Sequence, residues 1–479
     1  MSRARWWAGV CAATLSLIAC EGAETTAPPD STTTPGQTTA AEDTMSPEAA
    51  TAALDFVVAK VESIHADTRI AVPPAFVAAV SDARKQLQSP VTEKELFLIL
   101  DRMLVPLRDA HTALDVRGEA LADYEVLPLP FTWLQEGMIV TTETGPLQRG
   151  DLITSVGGLD EAALLAALRA VIPSENDHFL RSRAPELLPR EDLLRHLDLL
   201  DEDGSVAVEL ERAGETTTVH LPLAEAPAPP PEGPSVTHEI DPEHSLALLR
   251  IDRCVYDAAY DTELRDFMTK VAEAGIPRIA VDLRRNRGGN VLVAPAFLAY
   301  LKGAADHLTF GADLRVSDDL LAQQPAFASD PFKQLLQAFG IDPESDNYAL
   351  PGPAMKVILG SQILTPTVEE TLLFDGEVYI LTSPLTFSSA SLFTSYIQDN
   401  TLGTILGEPT GNEIDFHGQN LTLEVPGTSL HLSVSTSRLR RPDTTQPNEP
   451  TITPDILVPL TRKDVLDGTD PVREWLNTH

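Results

Sequence analysis

Cysteine is almost missing from this chain: three occur in 479 residues, at positions 11, 20 and 254. Two of them fall in the first twenty residues, so Cys254 stands alone in the remainder. A thiolate zinc site needs several cysteines and is excluded, as is an intramolecular disulfide in that part. A solitary Cys254 reads as a small buried hydrophobe, the commoner role, ahead of a nucleophile. Basic residues are also scarce, with 35 Lys and Arg against 71 Asp and Glu and a net charge of −36. Nucleic-acid binding needs clustered cations and is excluded as a function, while the acidity itself reads as a solubility feature. No regular internal repeat is present, which removes solenoid architectures. The 43% hydrophobic content is ordinary, so the chain can bury a core able to hold a rigid site. Its length predicts two or three domains.

The longest apolar run is short as well. Arg3 and Arg5 precede an apolar stretch over 6–19, too short for a permanent membrane span. It ends in Leu17-Ile18-Ala19-Cys20, which resembles a bacterial lipobox. Residues 1–20 are therefore expected to be a lipoprotein signal peptide, with Cys20 the lipidated first residue of the mature chain. Glu21 in place of Asp favours the outer membrane, and the expected location is the bacterial cell envelope, facing periplasm or surface. Residues 21–45 are rich in Thr, Ala and Pro and poor in large apolar residues. They cannot bury enough surface to fold and read as a disordered tether.

A helical region is expected over 46–120. Ser46-Pro47-Glu48 has the form of an N-cap followed by Pro at the first helical position, and Leu54, Val57, Val58 and Val61 recur at helical spacing. A second helix is expected over 74–87. A third begins at the capping box Thr92-Glu93-Lys94-Glu95 and stops near Pro106, which leaves 107–112 on a loop. Residues 121–225 read as short strands with one or two helices. The stretch from Leu147 to Gly158 resembles the turn and strand of a PDZ domain, a fold that binds extended chain ends by strand addition. The Pro-rich 226–240 reads as a linker. From 241 to 479 strands and helices alternate, which predicts an α/β core with a mixed sheet. The fold class is thus α/β multidomain.

Two strand-turn-helix units carry the chemistry. In the first, the strand ending at Asp282 runs through Arg284-Arg285-Asn286-Arg287 to Gly288-Gly289. Adjacent glycines let backbone N–H groups approach a ligand and suit a developing oxyanion. In the second, Thr382 leads through Ser383-Pro384-Leu385-Thr386-Phe387 to Ser388-Ser389-Ala390-Ser391 and a helix. A Ser there has the helix N-terminus beside it, where negative charge is favoured; the plainer role for such a Ser is an N-cap.

Together these units resemble the catalytic domain of the S41 serine peptidases, the C-terminal-processing and tricorn-type proteases. Gly407-Glu408-Pro409-Thr410-Gly411 and Thr453-Pro454-Asp455-Ile456 resemble later landmarks of that family. The resemblance covers roughly 245–460 well and the preceding parts loosely. It implies Ser388 as nucleophile, with Ser389 the alternative if the turn is shifted by one, and an oxyanion hole made by Gly288 or Gly289 with the Ser389 N–H. A Ser-Lys dyad would need Lys where Glu413 stands, so another base is required. Asp109-Ala110-His111-Thr112 resembles the tricorn-like branch, whose His lies well before the nucleophile, and makes His111 the base. His417 competes. Glu449 lies near the late carboxylate of that pattern, one residue off, and Asp109 orients His111 or caps its loop. The expected activity is peptide-bond hydrolysis through an acyl-enzyme, on protein or peptide substrates, with no metal and no cofactor. A non-catalytic peptide-binding protein and a hydrolase of small esters or amides are the alternatives.

Overall fold

The computed structural model describes residues 44–116, 125–227, 231–303, 306–363 and 367–479. The signal-like segment, Cys20 and nearly all of the expected tether lie outside the described residues. Thr44–Met45, the end of that tether, form a short strand paired with Val91–Thr92.

The local start and stop signals act as chemistry dictates. The Ser46 hydroxyl accepts the Ala49 N–H at 3.3 Å and opens the helix Pro47–Ile64. The Thr92–Glu95 capping box opens Glu93–Leu104. Leu54, Val57 and Leu100 from these helices are buried in one cluster with Ile279, Phe393 and Val434 of the α/β part. The helical region is therefore one layer of the α/β core and not a unit with a core of its own. Each such aliphatic side chain contributes about 1.5–3 kcal/mol on leaving water.

A second cluster belongs to residues 127–222. Their sheet has the order 215–222, 205–212, 152–156, 137–140, 131–134, with 159–160 off the path. The helices Glu161–Arg169 and Asp177–Leu187 bury Leu164, Leu168 and Leu180 with Val156 and Val208 of that sheet.

The C-terminal half holds two sheets. The six-stranded one runs Val236–Asp241, Leu246–Ile251, Arg278–Asp282, Glu377–Thr382, Thr404–Gly407, Ile456–Leu457. Its first pair is antiparallel and the others are parallel, so the sheet is mixed. The expected linker over 226–240 needs correction here. Its last part is the edge strand Val236–Asp241, because Val236, Ile240 and Asp241 find ladder partners in Ile251, Ala247 and Leu246.

The five-stranded antiparallel sheet positions the site. Leu430–Arg440 pairs on one side with Phe416–Glu424 and on the other with Gly311–Arg315 and Ala113–Val116. Through that last pairing the early loop at 107–112 is fixed onto the C-terminal half, and the Ser435 N–H donates to Thr112 Oγ1 at 3.0 Å.

Candidate active site

The parallel strands Arg278–Asp282 and Glu377–Thr382 end side by side, and their outgoing turns are stitched together. Ser383 Oγ donates to the Arg284 carbonyl at 2.6 Å, Thr386 Oγ1 to the Leu283 carbonyl at 2.9 Å, and the Phe387 N–H to the Asn286 carbonyl at 3.0 Å. Ser388 follows, at φ 56° and ψ −126°, directly before the helix Ser389–Asp399. Positive φ in a non-glycine residue costs about 1–3 kcal/mol and persists only where its surroundings enforce it. The Ser388 side chain does not cap the helix. Its neighbours are committed elsewhere: Ser389 Oγ donates to the Gly289 carbonyl at 2.6 Å and Ser391 Oγ to the Thr386 carbonyl at 2.9 Å. Ser388 itself is buried, at 5% exposure, on this strained strand-to-helix turn.

Gly288 lies against that serine. A Cβ at Gly288 would stand 2.5 Å from Ser388 Cβ and 3.0 Å from its Oγ, and φ is +101°. The three expected oxyanion donors separate. The Gly288 N–H is taken by Asn286 Oδ1 at 2.8 Å, while the N–H groups of Gly289 and Ser389 have no hydrogen-bond partner among the described residues. The difference has a simple cause. Asn286 is buried, with its Nδ2 held by the Ile251 carbonyl at 2.9 Å, so its oxygen is aimed at Gly288. Cys254 is buried, with Sγ 3.5 Å from the same Asn286 oxygen.

His111 reaches this turn from the early loop. Its ring stacks on Phe387, the residue before Ser388, with centroids 4.6 Å apart, and Phe416 flanks it at 5.8 Å. Asp109 organises the loop: Oδ1 accepts the His111 N–H at 2.8 Å, and Oδ2 accepts the Thr112 hydroxyl at 2.6 Å and lies 3.2 Å from His65 Nε2. His111 Nδ1 stands 3.7 Å from Asp109 Oδ1 and 3.9 Å from Glu175 Oε1. Neither ring nitrogen makes a hydrogen bond among the described residues, so the ring is beside the Ser388 turn without a bond to Ser388. Burial pushes the imidazole down to about 4, against the upward pull of Asp109. Burial also raises Asp109, but the His65 hydrogen bond and the nearby imidazoles outweigh it and hold that carboxyl well below its usual range.

Glu449 is not brought to His111. Its side chain is exposed, and its carbonyl accepts the Ile414 N–H at 3.0 Å. Glu413, in the place expected of a Lys, lies 3.4 Å from Arg108. His417 is buried behind His111, with Nε2 3.0 Å from Asp67 and its ring 4.9 Å from His65.

Three site residues escaped the sequence reading: Glu175, Asn412 and His65. Asn412 Oδ1 accepts the Ser388 N–H. Glu175 Oε2 accepts Asn412 Nδ2 at 3.0 Å and the Glu413 N–H at 2.8 Å. No local pattern marks these residues, since their partners are distant in the chain.

Among the described residues, two groups have metal-ligand chemistry, His65 with Asp109 and His417, and Asp109 with His111 and Glu175. In the first, His65 Nδ1 accepts the Asp67 N–H at 3.2 Å. That leaves its proton on Nε2, toward Asp109, where a metal would need a lone pair. In the second, ligation at His111 would occupy the side chain best placed as a base.

Residues 245–458 match the model of peptidase family S41. The fold of the longer chain is similar to that of mature CPAF. The structure of mature CPAF complexed with lactacystin is 15% identical, with a TM-score of 0.63, covering 90% of this chain and 97% of that one. A second structure of mature CPAF gives 15% identity and a TM-score of 0.61, with 90% and 96% covered. At this identity the likeness is one of fold. No curated protein matches the chain. Ser388 and Gly288 lie inside the family-matched segment, whereas Asp109, His111 and Glu175 lie before it.

The close approach of Gly288 to Ser388 yields a test. Gly288→Ala forces the turns apart and should lower kcat by about 100-fold, the cost of an ångström-scale misplacement. Steady-state kinetics on the folded variant check it, and wild-type kcat would contradict the packing described.

Proposed function

We propose that the chain is a serine peptidase with Ser388 as nucleophile and His111 as base. The observation that carries the reading is Ser388 itself: a strained residue with an uncommitted hydroxyl, packed against Gly288 and next to the ring that stacks on His111. In the proposed reaction Ser388 Oγ attacks the scissile carbonyl as its proton passes to His111. The C–O bond forms, and the tetrahedral oxyanion is held by the Gly289 and Ser389 N–H groups. His111 returns the proton to the leaving amine as the C–N bond breaks, and water repeats the sequence on the acyl-enzyme. Asp109, and not the exposed Glu449, orients His111 in this scheme. The chemistry calls on no cofactor. Substrates are protein tails or peptides in extended form, and a PDZ-like unit at 121–225 would present them. Anchoring by a lipid on Cys20 keeps the enzyme at the bacterial envelope, with its catalytic domain on the periplasmic or outer face.

Residues that act as a unit give non-additive losses. Ser388→Ala and His111→Ala should each lower kcat/KM by on the order of 10³-fold or more, with the double variant little worse than either. Labelling by a fluorophosphonate should require Ser388. A folded Ser388→Ala variant that still hydrolyses peptides would refute the assignment, and a wild-type protein that neither labels nor cleaves would support the peptide-binding alternative.

The pH dependence follows from burial of His111. The base works only when neutral, and its dry surroundings disfavour the imidazolium, so the neutral form survives as pH falls toward about 4. The acid limb of kcat/KM should therefore lie well below the ordinary histidine value. A limb at or above that value would contradict a buried base. The anchoring is tested separately: Cys20→Ala should move the protein from the membrane to the soluble fraction, and unchanged partitioning would end the lipoprotein reading.

A further inference from the structure

One residue outside both turns borders His111 and reaches Ser388 through Asn412. Glu175 lies just before the helix Asp177–Leu187, in the 127–222 unit that has its own sheet and core. Its Oε2 holds Asn412 and the Glu413 N–H, and Asn412 in turn takes the N–H of the strained Ser388. Its Oε1 is buried, without a hydrogen-bond partner, 3.9 Å from His111 Nδ1. The segment it starts is fastened over the site. Asn176 Nδ2 donates to the Pro450 carbonyl at 2.7 Å, Phe179 packs on Phe387 with centroids 4.9 Å apart, and Glu186 pairs with Arg287 of the glycine turn at 3.0 Å.

We infer that Glu175 is a positioning residue by which the 127–222 unit completes the catalytic centre, holding Ser388 through Asn412 and bordering His111 with its other carboxyl oxygen. The inference rests on the peptidase reading above. Its physical content is a division of charge. Asp109 and Glu175 both face the Nδ1 side of His111, and two carboxylates in a dry site do not ionise together. Asp109 has the Thr112 hydroxyl, the His111 N–H and His65 to stabilise its charge. Glu175 has burial and the Asp109 charge against it, which push it up to about 8, opposed in part by the Asn412 and Glu413 donors and by His417. Arg108 touches only its carbonyl, at 3.4 Å. The acid therefore keeps its proton at neutral pH, and the single negative charge stays on Asp109. Because Glu175 belongs to the other unit, a displacement of that unit would release Asn412 and the Ser388 turn together.

Glu175→Ala and Glu175→Gln separate this role from simple packing. With the full-length protein, Glu175→Ala should lower kcat about 10- to 100-fold with KM changed little, and slow fluorophosphonate labelling in parallel. Glu175→Gln, which keeps an oxygen for Asn412 and carries no charge, should recover kcat to within about fivefold of wild type. Wild-type activity should fall as pH rises through the region of Glu175 ionisation, and the Gln variant should lack that alkaline limb. The Gln profile serves even if the Ala variant does not fold. Wild-type kcat and labelling in Glu175→Ala would overturn the inference while leaving Ser388 as nucleophile. A Gln variant as inactive as Ala would overturn the neutral role. If the wild-type protein does not label at Ser388, the peptidase reading itself falls and takes this one with it.

Discussion

The site depends on how the turns after Arg278–Asp282 and Glu377–Thr382 are bound to each other. Ser388 sits at positive φ, at a cost of about 1–3 kcal/mol. The bonds from Ser383, Thr386 and Phe387 to the Arg284, Leu283 and Asn286 carbonyls are each worth about 0.5–1.5 kcal/mol net. Together they are of the same order as the strain and oppose its release, so the turn stays bent. Removing Cβ at position 288 is part of the same constraint, because the two turns meet there at van der Waals distance. Parallel strand pairing supplies the frame: adjacent parallel strands end at the same edge, so two sequence-distant turns emerge together.

The second requirement is electrostatic. Asp109, His111, Glu175, His65 and His417 are all buried within one small volume, where an unpaired charge is expensive. Donors surround Asp109, while burial disfavours the charged forms of His111 and Glu175. His417 is pushed down by burial, but the Asp67 carboxylate beside it and Asp109 beyond outweigh that and leave it raised. A second imidazole with a partner of its own is thus available to balance Asp109 without competing for the place next to Ser388.

What the sequence made legible was local. Ser46-Pro47 and the Thr92–Glu95 box announce helix starts through bonds within a few residues. Gly288-Gly289 and the Ser388 turn are likewise contiguous motifs, and Asp109-Ala110-His111 is a three-residue pattern. Glu175, Asn412 and His65 were illegible because each acts through a partner far along the chain, and an acid in a Pro-Ser-Glu-Asn turn looks like any solvated acid. The same limit explains the strand Val236–Asp241, whose ladder partner outweighs the Pro-rich stretch before it. Glu449 illustrates the converse: proximity in sequence to a landmark did not put its carboxyl group near His111.

The most direct test is a crystal structure of the protein after reaction with a fluorophosphonate. The account predicts phosphorus bonded to Ser388 Oγ, with a phosphonyl oxygen about 2.7–3.1 Å from the Gly289 and Ser389 N–H groups and His111 within hydrogen-bond reach of Oγ. An adduct on another residue, or a phosphonyl oxygen pointing away from those N–H groups with His111 still turned from Ser388, would contradict it.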